Sequence, residues 1–149
     1  IQSALQKLFA DVGDHIILRG ISESWYRLLP ELPYGLNWTP MLLQQFVRFW
    51  GDPLGARTIQ AMDSQDSNAL HAMLVSKNSF VQDFRDAVAV WLYEEAPEQK
   101  RYEAEELRGM LVKCGMISGN QLIWNMHKAL SKDSRFVWSS DNQTVTVRL

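Results

Sequence analysis

The spacing of apolar residues along the chain changes near Arg135. Before that point, most apolar residues recur every three or four positions, as on one face of a helix. After it, apolar and polar residues alternate, and the β-branched run from Thr144 to Val147 is typical of a strand. The pattern therefore predicts a mainly α fold in which only the last residues form a two-stranded hairpin.

Residues 1–93 are predicted to form a helical N-terminal domain. Thr39 and Pro40 suit the start of a central helix, because Thr can cap free backbone amides and Pro fits the first turn. Ser22 can cap a short helix, and His15–Leu18 is either a short strand or a buried connector. The helices are predicted near Leu5–Val12, Trp25–Leu29, Pro40–Trp50, Ile59–Met62, Leu70–Leu74 and Phe80–Leu92, with a polar break at Asp63–Asn68 and with Asn78 or Ser79 capping the last helix.

A charged segment around Pro97 separates this domain from the rest of the chain. Proline and a run of charged residues are typical of linkers, so residues 94–101 are predicted to connect the first domain to a second one at 102–149. The chain begins at Ile1 without an initiator Met, which favours a segment of a longer protein.

The second domain is predicted to be a winged helix-turn-helix with a two-stranded wing. A helix from Glu103 to Lys113 ends at Gly115, and Met116–Gly119 forms the turn. A second helix, Gln121–Leu130, is predicted to bury Leu122, Ile123, Met126 and Leu130, which recur at helical spacing. It precedes a hairpin from Arg135 to Leu149, which corresponds to the wing. No internal repeat is evident, and a degenerate second winged helix in the first half is an open alternative.

The run Leu130-Ser131-Lys132-Asp133-Ser134-Arg135-Phe136 and the hairpin after it resemble the end of winged-helix domains of the HARE type. These domains occur in the delta subunit of bacterial RNA polymerase and in chromatin-associated proteins, and the resemblance covers about a third of the chain. It implies that Arg135 enters the wing and that Phe136 packs beneath it. No family resemblance is evident for residues 1–93.

One polar face of the second helix is the candidate binding site. Its residues are spaced by 3, 1, 3 and 4 positions, which aligns them along one side of a helix. Asn and Gln can pair with adenine, and Lys can reach guanine or phosphate, so this face could enter a major groove. Alternatively, the face is solvated and its tryptophan packs against the first domain. The candidate residues are Gln121, Trp124, Asn125, Lys128 and Lys132.

Composition limits the partners and the compartment. A net charge of -2 and a pI near 5.9 argue against a protein that coats nucleic acid through bulk positive charge, so any phosphate contact must be local. The single cysteine, Cys114, excludes an internal disulfide and favours the cytoplasm. No apolar run has the length of roughly 20 residues that a membrane span needs.

No catalytic motif is evident. His15, His71 and His127 share no metal-ligand spacing, and there is no HExxH, CxxC, GxGxxG or GxxxxGK[ST] motif. We therefore expect a non-enzymatic protein without metal, cofactor or membrane contact. It is expected to bind double-stranded DNA or a transcription or replication complex through its winged helix; the alternative is a protein-protein interaction module in which this fold is a scaffold.

Overall fold

The computed structural model describes residues 1–62 and 69–149. Short 3₁₀ turns at Leu18–Gly20 and Pro33–Gly35 connect some of its elements. The helices are α1 (Gln2–Val12), α2 (Glu23–Tyr26), α3 (Pro40–Leu54), α4 (Phe84–Glu95), α5 (Ala104–Cys114) and α6 (Ile123–Leu130), and the strands are β1 (His15–Ile17), β2 (Ala56–Ile59), β3 (Met73–Ser76), β4 (Arg101–Glu103), β5 (Phe136–Trp138) and β6 (Thr144–Val147).

The strands form two antiparallel sheets, so the prediction of a mainly α fold with a two-stranded wing is wrong. Among the described residues, each sheet has three strands. Their order is β1-β3-β2 in the first half, which runs from α1 to β3, and β4-β6-β5 in the second half, which runs from α4 to β6. Both halves share one order of elements, which is helix, strand, helix, helix, strand, strand. In both sheets the last strand lies between the other two.

The predictions of helices near Ile59–Met62 and Leu70–Leu74 are wrong. β2 ends at Ile59 and β3 begins at Met73, and the described residues between them, 60–62 and 69–72, form no helix. A short apolar run does not distinguish a strand from a buried helical turn by its period. β3 is the central strand and is buried on both faces, so its apolar residues are consecutive rather than alternating. The predicted polar break at 63–68 lies outside the described residues.

The third strand of the second sheet, β4, was also not predicted. It has only three residues, and Tyr102 is its single buried side chain, paired with Val145 of β6. Its neighbours Arg101 and Glu103 are exposed, so the segment carries almost no apolar signal. β4 forms because it pairs with β6, a strand more than forty residues away, and its own sequence does not indicate a strand.

The central strand of the first sheet separates two hydrophobic clusters. Leu74 packs with α1, α2 and α3, whereas Met73 and Val75 on the opposite face join α4, α5, α6 and the second sheet. Alternate strand residues point to opposite faces, so β3 contributes to both clusters. One of these clusters therefore continues across the predicted linker at 94–101.

Several local predictions are confirmed. Thr39 Oγ1 accepts a hydrogen bond from the Leu42 amide at 3.1 Å, and Pro40 opens α3. Ser22 caps α2 through the Trp25 amide at 3.4 Å. Gly115 ends α5 with φ 91°, a left-handed conformation that glycine adopts without a steric penalty.

The start of α4 differs from the prediction. The helix begins at Phe84, and the cap is Asp83, whose carboxylate accepts a hydrogen bond from the Asp86 amide at 2.9 Å, rather than Asn78 or Ser79. Phe80 and Val81, two apolar residues after Asn78, extend the apparent helical pattern beyond the true start of the helix. An Asp cap at the true start satisfies an amide that otherwise lacks a partner.

Arg135, directly before β5, joins this strand to α4. Its guanidinium donates to the Asp133 carboxylate at 2.9 and 2.5 Å and to Asp86 of α4 at 2.8 Å. The hydrogen bonds from Arg135 lower the pKa of Asp133 from its ordinary 3.8 to about 2. The folded protein thus holds the charged form of this carboxylate in a specific geometry.

This contact predicts acid sensitivity. Because the pKa of Asp133 is lower in the folded chain, its contribution is complete above pH of about 4 and disappears as the pH falls to about 2. Asp133→Asn should lower the free energy of unfolding at pH 7 by about 1–2 kcal/mol, and the loss should shrink in that acidic window. Urea unfolding across pH checks this, with exposed Asp11→Asn as control. A loss that stays constant between pH 7 and 2 would contradict the assignment.

Candidate functional site

The position of α6 is set by a turn that Arg108 of α5 holds in place. Its Nε donates to the Gln121 carbonyl oxygen at 2.6 Å, and its Nη2 donates to the Gly119 carbonyl oxygen at 2.8 Å. Charged donors make strong hydrogen bonds, so one guanidinium orders the connection between α5 and α6. The sequence pattern had no signal for this role. α6 begins at Ile123, two residues later than predicted.

Trp124 lies on the solvent side of α6. Its side chain is 65% exposed, so the alternative in which it packs against the first domain is wrong. The Lys128 ammonium, one turn further along, lies 5.3 Å from the centre of the indole ring. This is the geometry of a cation-π contact, which places a positive charge beside an open aromatic surface.

The other three predicted residues occupy different positions. Gln121 precedes the helix, and its side-chain oxygen accepts a hydrogen bond from the Asn125 amide group at 2.6 Å. Both residues are half-buried, so they hold each other in place and present less surface than Trp124. Lys132 is exposed in the turn after α6. The structure thus brings together two pairs, and the fifth residue follows the helix.

Leu122 was predicted to be in the core, which is wrong because 67% of its surface is exposed. It lies just before the first turn of α6 in an extended conformation, with φ -84° and ψ 157°. The helical spacing that predicted its burial therefore does not apply to it. Leu122 and Trp124 together add apolar surface to a face that was expected to be polar.

The segment that forms this surface contains no acidic residue. Between Glu106 and Asp133 there is no Asp or Glu in the sequence. The same segment contains Arg108, Lys113, Lys128 and Lys132. In a chain of net charge -2, this is a local basic region of the kind that a phosphate contact requires.

A scan against protein-family models gives no match to this chain, and searches of curated proteins and of solved structures find no significant similarity either. The resemblance of residues 102–149 to HARE-type domains stays a prediction. Function must therefore be inferred from the geometry of the chain itself.

A second candidate site, which the sequence analysis missed, lies between the two halves. It is a cavity of about 1070 Å³ bounded by α3, β2 and the start of α4, called here the α3 groove. Its lining includes aromatic and arginine side chains from three separate elements. These are Arg48, Phe49 and Trp50 of α3, Arg57 of β2 and Arg85 of α4. Residues that meet only through tertiary packing leave no spacing in the sequence by which to find them.

The acid pair Asp83 and Asp86 and the thiol of Cys114 have structural partners. Asp83 caps α4 and Asp86 bonds Arg135, so this acid pair has specific partners. The Cys114 thiol donates to the Leu111 carbonyl oxygen at 3.4 Å, and burial raises its pKa, which lowers its reactivity. Within residues 1–62 and 69–149, no group of three or more His, Cys, Asp and Glu side chains could hold a metal ion. No helix of these ranges is long and apolar enough to cross a membrane.

Proposed function

We propose that this chain is a non-enzymatic nucleic-acid-binding protein whose α6 surface contacts double-stranded DNA. The single observation that carries the proposal is the exposed Trp124–Lys128 pair on a helix from a segment without acids. Lysine supplies the charge for a phosphate, and the indole supplies a flat surface for a sugar or an exposed base edge.

The order of the elements supports this proposal. In each half, two helices lead into two strands, and a short strand between the first and second helices completes the sheet. We propose that each half is a winged-helix unit with a three-stranded sheet. In the second unit, α6 then corresponds to the recognition helix, which in helix-turn-helix proteins lies in the major groove.

The lysines should provide most of the affinity. Lys128 and Lys132 are exposed and four residues apart, so both can approach one phosphate row beside the helix. Each phosphate contact releases condensed counterions, which makes binding depend on salt. Gln121 and Asn125 are bonded to each other and should orient the surface and contribute to base discrimination.

Replacing Lys128 and Lys132 together with Ala should weaken binding to every duplex sequence. The slope of log affinity against log salt should flatten by about two units, because two phosphate contacts are lost. Asn125→Ala should instead mainly reduce discrimination between sequences. Fluorescence anisotropy titrations of a labelled duplex at several salt concentrations measure both effects.

A variant with Lys7 and Lys100 changed to Ala is the matched control, since both are exposed lysines outside α5 and α6. It removes the same charge and should keep the parent's salt slope. If the parent binds no duplex at low salt, or the Lys128/Lys132 variant binds like the parent, the proposal fails.

A protein-protein interaction module is the second candidate, and the exposure of Leu122 beside Trp124 favours it. Aromatic residues are enriched in protein interfaces, and adjacent exposed apolar residues are common in them. Under this alternative, Trp124→Ala and Leu122→Ala would abolish a protein contact. The parent itself would bind no duplex. The salt titration therefore separates the two functions.

A further inference from the structure

Four aromatic rings form a row along α3. The ring centres of Trp38 and Phe46 are 5.1 Å apart, those of Phe46 and Trp50 are 5.1 Å apart, and those of Phe49 and Trp50 are 4.9 Å apart. The row becomes more exposed towards its end, where Trp50 is 49% and Phe49 is 81% exposed. Two large rings thus stand open at the edge of the α3 groove.

A kink in α3 places these rings. Trp50 has φ -125° and ψ 30°, outside the helical range, three residues before Pro53. Proline cannot donate to the carbonyl four residues earlier, which is that of Phe49, and its ring displaces this carbonyl. Gly51 allows the bent end to approach β2, since a Cβ there would lie 2.8 Å from the Ala56 carbonyl oxygen.

The charges in the α3 groove favour an anionic ligand. Among the described residues, three arginines from three different elements line it, together with two acids. Asp83 accepts a hydrogen bond from the Asp86 amide as the cap of α4, and its carboxylate lies 3.4 Å from the Arg85 guanidinium. The exposed carboxylate of Asp52 lies 3.9 Å from the Lys77 ammonium.

Arg85 is thus paired with Asp83, and Arg57 donates through Nη2 to the Ser79 carbonyl oxygen at 2.8 Å. The three arginines of the described lining still exceed its two acids by one charge.

His71 and Thr58 also line the α3 groove, and neither side chain carries a negative charge. The His71 ring lies 2.7 Å from the Thr58 hydroxyl through its Nδ1. Burial lowers the pKa of His71, and the positive charge of Arg48 lowers it further, so the ring is neutral at pH 7. A neutral imidazole and a hydroxyl can bond to bases or sugars.

We propose that the α3 groove binds single-stranded nucleic acid, with phosphates near Arg48, Arg57 and Arg85 and bases stacked on Phe49 and Trp50. Stacking rings beside a cationic channel are the two features by which proteins hold single strands without reading their sequence. The cavity volume of about 1070 Å³ is at the upper end of the range for ligand pockets, so it can admit more than one nucleotide. The groove reaches α6 at Ala129, but Trp124, Lys128 and Lys132 do not line it, so this proposal does not depend on duplex binding at the α6 surface.

Anisotropy titration of the full chain with a labelled oligothymidylate of about 10 nucleotides tests this site. Phe49→Ala should weaken binding by about 5- to 150-fold, because a base loses its stacking surface. Arg48→Gln should weaken it as well and flatten the salt slope by about 0.7 units, as for one contact to a single strand. Phe49 is exposed, so its truncation should leave the melting temperature unchanged.

Tyr34→Ala is the matched control, since Tyr34 is an exposed aromatic residue that does not line the groove. It should bind the oligonucleotide like the parent, and so should the variant with Lys128 and Lys132 changed to Ala. Undiminished binding by Phe49→Ala, or equally tight binding of a labelled polyglutamate of similar charge, would overturn the proposal. Loss of duplex binding alone in the lysine variant would bear on α6 and not on this groove.

Discussion

Replacing Phe136 with Ala should lower the free energy of unfolding by about 3–5 kcal/mol, as large aromatic truncations in cores do. Phe136 is buried in β5, and it belongs to the same hydrophobic cluster as Met126 of α6 and Val145 of β6. Its removal would leave a cavity between the second sheet and the helix that carries the proposed DNA contact. Equilibrium urea denaturation measures the change in the free energy of unfolding.

Val137→Ala on the same strand is the control for this prediction. Val137 is 38% exposed on the opposite face of β5, so its truncation should cost less than about 1 kcal/mol. If Phe136→Ala costs as little as Val137→Ala, the hairpin does not pack on α6 as the structure describes.

Leu74→Ala should lower the free energy of unfolding by about 2–5 kcal/mol, the range for leucines in cores. Leu74 is completely buried on the face of β3 that meets α1, α2 and α3. Neighbouring strands on both sides hold the backbone, which limits collapse of the cavity. Urea denaturation followed by far-UV circular dichroism gives the loss.

Exposed Leu36→Ala removes the same atoms without creating a cavity and should stay within about 0.5 kcal/mol of the parent. A similar loss in both variants would mean that β3 is not the shared central strand. If residues 70–74 formed a helix, as their apolar run predicted, the side chain of Leu74 would be less completely enclosed than in the central strand.

The two proposed contact surfaces differ in how far the sequence reveals them. Trp124 and Lys128 are one helical turn apart, so their shared face follows from helical spacing alone. The exposure of Trp124 does not follow, because a tryptophan at that spacing could equally cover a neighbouring domain. The α3 groove leaves no pattern in the sequence, since Arg57 and Arg85 meet α3 only in the folded chain.

The sequence by itself determined the elements whose signals are local. Thr39-Pro40 starts α3, Gly115 ends α5, and alternation after Arg135 predicts the final hairpin, because caps, positive φ and strand period involve only neighbouring residues. The tertiary structure decided whether the short segments β1 and β4 form the third strand of their sheets. β1 was an open alternative and β4 was missed, since a strand of three residues is stabilised by hydrogen bonds to a distant partner.

Tertiary structure also decided which side chains are buried. β3 is apolar on both faces because the halves pack on opposite sides of its sheet. The four residues of the strand do not by themselves indicate what packs on each face. Leu122 matches the helical period of the core and is nevertheless exposed, because α6 begins at Ile123, the residue after it. Burial depends on what the rest of the chain brings to each face, whereas the helix and strand signals of the sequence extend over only a few residues.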